Sequence, residues 1–218
     1  MGQKCAIHIN PTQPHQRIVA TELAAGFKKH GVDGLITSDR SLSADTHVVI
    51  GPWYALDQWR EHPRTLYIDR AYWGDPGNVS MHWLKDGEKH RTHCLVPRHY
   101  PQLRPYRESE KTIYLCDYQQ APTGDFDAYR LHPAQQRGGK GPLAVALDGF
   151  GVAVGRRTTA LVEAAIMGLM VKTDDPHSPI APISGLRHGR EQWALALAWH
   201  NWGMGEIARG EAWEYLKQ

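Results

Sequence analysis

The stretch VAVGRRTTALVEAAIMGLMVKTDD, residues 152–175, contains two short apolar runs with a helical pattern between them. A glycine ends the first run, and two arginines and two threonines follow it. Two aspartates end the second run. Short apolar runs that alternate with helical patterns are typical of βαβ units, whose strands are parallel. The stretch therefore predicts a strand, a helix and a second strand within a parallel sheet.

The same alternation predicts an α/β fold for the whole chain. Strands are predicted at CAIHIN, GLITSD, THVVIGPW and RTLYIDR in the first half, and at TIYLCDY and AYRLHP in the second. A proline-rich, charged segment at 97–111 is predicted to be a linker. Because 218 residues suit two domains of about 100 residues each, we expect two small Rossmann-like domains that face each other across a cleft. Their predicted bounds are 1–107, with a hairpin insertion, and 108–218, with C-terminal helices.

Composition limits the cellular setting. Hydrophobic residues make up 41% and charged residues 22% of the chain, as in ordinary globular proteins. Without a long apolar run, and with three cysteines that form no CxxC pair, the sequence predicts a cytoplasmic protein with no membrane span. Residues 1–107 hold 14 Lys and Arg against 10 Asp and Glu. This half could therefore face an anionic partner, or its charge could be ordinary surface charge.

The residues that open the predicted helix suggest a nucleotide site. Thr158 or Thr159 can act as the N-cap, and the N–H groups behind the cap favour phosphate. Arg156 and Arg157 add positive charge beside them. Glu163, about one turn further, can accept hydrogen bonds from two ribose hydroxyls. The pattern equally fits an ordinary capped helix with a solvated glutamate and two surface arginines.

A resemblance favours the nucleotide interpretation. The stretch VGRRTTALVEAAIMGLMVKTDDPHSP resembles the donor-binding segment of GT-B-fold glycosyltransferases, in which a Ser/Thr pair leads from a strand into a helix bearing EA…G. RLHP, residues 130–133, is similar to the His-Pro element of bacterial transferases that use nucleotide-activated sugars. The resemblance implies that Thr158 and Thr159 approach the donor phosphates, Glu163 the ribose and His132 the phosphate. The chain has Thr-Thr where those transferases have Ser-Ser.

The tail NWGMGEIARGEAWEYL resembles small phage-encoded proteins of the same group, and the whole resemblance covers roughly 108–218. A UDP- or CMP-sugar is the implied donor. A helix start and basic groups would take the place of a metal ion, so no metal is expected.

The first half supplies the candidates for acceptor chemistry. In DRAYWGD, residues 69–75, Asp69 is the predicted general base, with Arg70 and Trp73 to orient the acceptor. Asp174 and Asp175 end a strand at the edge that carries the phosphate site and are predicted to touch the sugar or the acceptor. Alternatively, Asp175 caps the following turn, and Asp69 forms a structural ion pair with an arginine.

Two further motifs predict no site of their own. HRTHC, residues 90–94, has no evident fourth zinc ligand and is interpreted as a polar hairpin. GGKGP, residues 138–142, lacks the GxxxxGK[ST] pattern and is interpreted as a flexible loop that could close over a ligand.

The function expected from the sequence is metal-independent glycosyl transfer from a nucleotide-sugar to an acceptor hydroxyl. The phage-like resemblance and the basic, Trp-rich first half permit DNA with a hydroxylated base as the acceptor. A cell-surface glycan is the alternative acceptor. From a different class, a non-catalytic protein that sequesters a nucleotide or nucleotide-sugar would keep the phosphate site and need no base.

Overall fold

The structure, a computed structural model, describes residues 3–51, 59, 62–71, 78–83, 100–117, 124–135 and 141–216. By contacts the chain divides into two compact units. Unit 1 comprises Met1–Arg98 with Trp199–Gln218, and unit 2 comprises His99–Ala198. Residues 199–218 thus belong to the first unit, whereas the sequence analysis assigned them to the second domain.

Unit 1 contains a mixed six-stranded sheet in the order β10-β5-β4-β3-β1-β2. Strands β1 to β4 run parallel, while β5 is antiparallel to both β4 and β10. Helix α1 (Pro14–Lys28) connects the first two strands. The strands are β1 (Lys4–His8), β2 (Asp33–Thr37), β3 (Thr46–Ile50), β4 (Thr65–Arg70), β5 (Val79–Trp83) and β10 (Asn201–Trp202).

The core of unit 1 lies between one face of this sheet and three helices. Helix α1 buries Val19, Leu23 and Phe27, which recur at intervals of four residues and so share one helix face. They pack in one cluster with Trp202 and Trp213 from the end of the chain. Burial of these apolar surfaces is what joins residues 199–218 to unit 1.

The C-terminal segment differs from its prediction in detail. The sequence GREQWALALAWHNW, residues 189–202, predicts one helix, but α4 (Arg190–Ala198) ends early and Asn201–Trp202 form an edge strand. The sequence GEIARGEAWEYLKQ, residues 205–218, predicts a second helix, but the structure has two, α5 (Met204–Arg209) and α6 (Glu211–Leu216), because Gly210 lies between them with φ at 83°. Such a left-handed residue ends a helix, and glycine adopts it most readily.

Unit 2 contains a four-stranded, wholly parallel sheet in the order β7-β6-β8-β9. Its strands are β6 (Thr112–Leu115), β7 (Ala128–Arg130), β8 (Val152–Gly155) and β9 (Met170–Lys172). Helix α3 (Thr159–Ile166) connects β8 to β9, as the βαβ pattern predicts. The sequence GPLAVALDGFG, residues 141–151, predicts a longer helix than the single turn of α2 (Leu143–Ala146). The α/β class is therefore confirmed, with one mixed and one parallel sheet.

Residues 100–111 of the segment predicted as a linker are packed on the rest of unit 2. The N–H groups of Arg104 and Arg107 donate to the carbonyls of Ile166 and Gly168 at 2.9 and 2.8 Å. Arg190 is only 3% exposed, and its guanidinium donates to the carbonyls of Arg104 and Ala165. These bonds tie an extended chain to the C-terminal end of α3, so the segment is a structural part of unit 2. In the part of the chain described, no helix is long and apolar enough to span a membrane.

Candidate functional site at the strand ends of unit 2

The carboxyl ends of the four parallel strands of unit 2 lie along one edge of the sheet. Cys116 directly follows β6, Arg156 follows β8, and Thr173 follows β9. His132 lies two residues after the end of β7. Neighbouring strands are about 4.8 Å apart, so four strand ends span about 15 Å. Ligands of open α/β sheets bind outside this edge. The edge therefore brings together most of the donor-site residues that the sequence predicts.

Two arginines and two aspartates join the ends of β8 and β9. Arg157 donates from Nε to Oδ2 of Asp175 at 2.5 Å. Arg156 places Nη2 at 3.9 Å from the same oxygen and Nε at 3.5 Å from Oδ1 of Asp174. The residues predicted to contact phosphate and those predicted to contact substrate are therefore paired with one another.

The two aspartates have different environments. Asp175 is 4% exposed and also accepts a hydrogen bond from the N–H of His177 at 2.9 Å. Burial alone would raise the pKa of Asp175, but the hydrogen bonds from Arg157 and His177 and the two guanidinium charges outweigh it and hold that pKa below its usual range. Asp174 is 82% exposed and contacts Arg156 only at ion-pair distance.

The two threonines also have different positions. Thr158 is buried and is the N-cap of α3, since its Oγ1 accepts a hydrogen bond from the N–H of Ala160 at 3.3 Å. Thr159 is the first residue of the helix and is exposed. Of the two caps that the sequence allowed, the structure has Thr158. Its hydroxyl uses one lone pair for the cap and keeps an O–H that can donate.

Glu163 lies on an exposed part of α3, five residues after the cap. Its side chain reaches solvent, but surrounding protein atoms partly desolvate the carboxyl group and so raise the pKa of Glu163. The positive charge of Arg130 opposes that shift. Arg130 is the last residue of β7, and its Nη2 donates to the carbonyl of Gly141 at 2.7 Å. Sequence reasoning missed Arg130, although a charged residue at a strand end was a usable signal.

Tyr114 of β6 is a second residue that the sequence analysis missed. Its ring is buried and packs on Phe126 with ring centroids 4.9 Å apart. Burial raises the pKa of Tyr114 most, the carboxylates of Asp117 and Asp174 raise it further, and Arg156 opposes them. The phenol is thus within electrostatic reach of the ends of three strands.

Among the described residues at this edge, acidic and basic side chains nearly balance. Four acidic and three basic side chains with described positions occupy it or border it: Asp117, Glu163, Asp174, Asp175, Arg130, Arg156 and Arg157. Of the described groups, those suited to bind an anion are the N–H groups of the α3 start and a guanidinium.

In unit 1 the predicted base lies within a strand. Asp69 is the last residue but one of β4, within the predicted strand RTLYIDR, and is paired with Ser80 of β5. Its Oδ2 accepts a hydrogen bond from the hydroxyl of Tyr67 at 2.9 Å, because residues i and i+2 of a strand share a face. Arg70 is the last residue of β4. Trp73, the HRTHC motif and residues 138–140 of GGKGP lie outside the described residues.

Unit 1 also holds a histidine cluster that the sequence analysis did not predict. Nε2 of His8 lies 3.0 Å from Nδ1 of His47, and the Trp59 ring packs on both imidazoles with centroids 4.5 and 4.3 Å away. Burial first, and the neighbouring imidazole second, lowers the pKa of His8 to about 4. Burial and His62 lower that of His47. Both rings are therefore neutral at pH 7.

Among the residues with described positions, no group of three or more His, Cys, Asp or Glu side chains is arranged to hold a metal ion. Comparison with protein-family models, with curated proteins and with solved structures finds no match to this chain.

Proposed function

We propose that the protein is a GT-B-type glycosyltransferase whose unit 2 binds a nucleotide-sugar donor and whose unit 1 binds an acceptor with a hydroxyl group. The observation that carries the proposal is the strand–cap–helix start at the end of β8. A buried threonine caps α3 at the carboxyl edge of a parallel sheet, Arg156 precedes the cap, and Glu163 lies about one turn into the helix. This is where open α/β sheets bind nucleotides.

Each donor group has a partner of suitable chemistry in this proposal. The N–H groups at the start of α3 and the guanidinium of Arg156 stabilise the phosphate that leaves. Glu163 accepts hydrogen bonds from the ribose, since five residues of helix correspond to about 7.5 Å along the axis. His132, at the end of β7, is assigned to the phosphate. A UDP- or CMP-sugar is the proposed donor.

In unit 1, Asp69 is the proposed general base. The acceptor oxygen attacks the anomeric carbon, the bond from that carbon to the phosphate oxygen breaks, and Asp69 takes the hydroxyl proton. The Tyr67 hydrogen bond orients the carboxylate. Arg70 and Trp73 are proposed to hold the acceptor, which is DNA with a hydroxylated base, as in a phage genome, or alternatively a cell-surface glycan.

The proposed stabilisation of the leaving phosphate uses helix N–H groups and a guanidinium, so we expect transfer to survive a chelator. Loss of transfer in EDTA, with recovery on addition of magnesium or manganese, would contradict this part of the proposal.

A non-catalytic nucleotide- or nucleotide-sugar-binding protein is the second candidate. The position of Asp69 favours it, because a carboxylate inside a strand that accepts a tyrosine hydrogen bond is also a common structural feature. Incubation with UDP-, CMP- and GDP-sugars, with hydroxymethylated DNA or glycan as acceptor, separates the two. A mass increase of one sugar on the acceptor supports the enzyme, and nucleotide binding without product supports the second candidate.

The donor role is tested by titrating UDP and CMP into Glu163→Gln. We expect binding to weaken by about 1–3 kcal/mol, the range for hydrogen bonds lost by a partner group. Glu110→Gln is the matched control, since Glu110 is exposed and lies just before β6, at the opposite edge of the sheet. Equal nucleotide affinity of both variants would exclude the ribose role.

A further inference from the structure

The arginine–aspartate group at the ends of β8 and β9 contains one tight pair and one loose pair. The tight pair is Arg157 with Asp175, whose carboxylate is buried and hydrogen-bonded at 2.5 Å. The loose pair is Arg156 with Asp174, at 3.5 Å, with side chains 43% and 82% exposed. Exposed ion pairs of this kind contribute little to stability and exchange readily with solvent ions.

Arg156 also has an unused donor. Its Nε is shielded from solvent yet makes no hydrogen bond within the described part of the chain, because Asp174 is near enough for attraction and too far for good geometry. A shielded donor without an acceptor is unfavourable, and an anionic oxygen would satisfy it. Arg156 lies two residues before the Thr158 cap. An oxyanion at the α3 start would therefore lie close to the guanidinium of Arg156.

We propose that Asp174 is an internal competitor for the donor phosphate: it neutralises Arg156 in the empty site and is displaced when the phosphate binds. In the same arrangement Asp175 is a positioning residue that holds Arg157 and the end of β9 in place. Of the two arginines, Arg156 therefore contacts phosphate, and Arg157 is structural. The inference rests on the proposed function, since it concerns how the donor site recognises its anion.

Neighbouring aspartates then have opposite effects on phosphate affinity. Asp174→Asn removes the competing charge, so UDP, CMP and inorganic pyrophosphate should bind about two- to fivefold more tightly, the range that exposed ion pairs allow. Asp175→Asn loosens the support of the site, so the same probes should bind at least about tenfold more weakly. Uridine and cytidine, which carry no phosphate, should bind Asp174→Asn and the wild type equally.

Asp148→Asn is the control for net charge. Asp148 is exposed in the turn before β8, at the amino edge of the same sheet. The four residues of β8 lie between Asp148 and Arg156 and span about 13 Å, which exceeds the Debye length of about 8–10 Å, so a unit charge removed there should leave affinity unchanged. Asp174→Glu keeps the competing carboxylate and should restore the affinity of the wild type. Rising salt should shrink the difference between Asp174→Asn and the wild type.

Calorimetric titrations of these variants decide the matter. If the wild type binds none of the three phosphate probes, the proposed function fails and the competitor role fails with it. If the wild type binds them and Asp174→Asn binds no more tightly than Asp148→Asn, the competitor role alone is overturned. Weaker binding of a UDP-sugar by Asp174→Asn, with UDP affinity unchanged, also overturns it and assigns Asp174 to the sugar.

Discussion

The strand ends of unit 2 and the histidine cluster of unit 1 bury polar groups in opposite ways. In unit 2, Asp175 is almost inaccessible yet stays charged, because two guanidinium groups and a backbone N–H compensate its desolvation. In unit 1, His8 is almost as inaccessible, and no carboxylate compensates its charge enough to keep the ring protonated. The ring is therefore neutral.

This difference between a paired charge and a neutral ring indicates where each unit can respond to a ligand or to pH. Charges held in pairs respond to a competing ion, so the strand ends of unit 2 suit a phosphate. Neutral imidazoles packed under an aromatic ring make unit 1 sensitive to acid, since protonation would place a positive charge where water does not solvate it.

The largest effect is expected for the predicted base of unit 1. Asp69→Asn keeps the shape of the side chain and its bond to Tyr67 but removes the proton acceptor, so turnover should fall about 10²–10⁴-fold, while donor affinity stays that of the wild type. Turnover of a UDP- or CMP-sugar and calorimetry of the nucleotide measure the two quantities. A lower melting temperature with near-normal turnover would instead indicate a structural carboxylate.

The histidine cluster predicts acid sensitivity of unit 1. The pKa of His8 is near 4 in the folded chain and about 6.5 unfolded, so the unfolded state binds more protons between these values. The contribution of His8 to the free energy of unfolding is therefore complete above pH 6.5 and is lost as the pH falls toward 4. At pH 5 this loss is about 2 kcal/mol. Urea unfolding followed by tryptophan fluorescence measures this loss. In His8→Gln the difference between pH 7.5 and pH 5 should shrink, and an unchanged difference would exclude His8 as its source.

The sequence was sufficient for the sheet of unit 2 because its signals are local. An apolar run, a glycine, a polar cap and a second apolar run define β8, α3 and β9 within 24 residues. It was insufficient at 199–218, where Asn201 and Trp202 form a strand only because β5, more than a hundred residues away, offers an edge. Likewise, the prolines of 97–111 suggested a linker, while hydrogen bonds to the end of α3 and to Gly168 make residues 100–111 part of unit 2.

The sequence could predict which residues lie at the candidate site, but not which of them pair with one another. The carboxyl-edge rule identified Arg156, Thr158 and Asp174 as neighbours. It could not determine that Asp175 would be buried against Arg157, since burial depends on the turn that follows β9. The histidines were missed for a related reason: His8 and His47 are far apart in sequence, and only the parallel register of β1 and β3 makes them contact.

A further prediction separates the two arginines by stability. Arg157→Gln removes a charge-assisted hydrogen bond to a buried carboxylate and should lower the free energy of unfolding by about 1.5–3 kcal/mol. Arg156→Gln breaks an exposed ion pair with Asp174 and a longer contact, 3.9 Å, with Asp175, and should lower it by less than about 1 kcal/mol. Urea denaturation of both variants measures the difference. Equal losses would contradict the division into a tight and a loose pair.

The smallest expected effect separates the two threonines. Thr158→Ala removes the acceptor for the Ala160 N–H and should destabilise the protein by about 1 kcal/mol, the usual loss for an N-cap. Thr159→Ala changes an exposed first-turn residue and should alter stability by less than about 0.5 kcal/mol. If Thr159 contacts the donor phosphate, its variant should nevertheless bind UDP or CMP more weakly. Thermal unfolding and calorimetry of the two variants, side by side, measure both quantities. Thr159→Ala with unchanged stability and unchanged affinity would remove Thr159 from the site, and only a weaker affinity of Thr158→Ala would then assign a threonine to the phosphate.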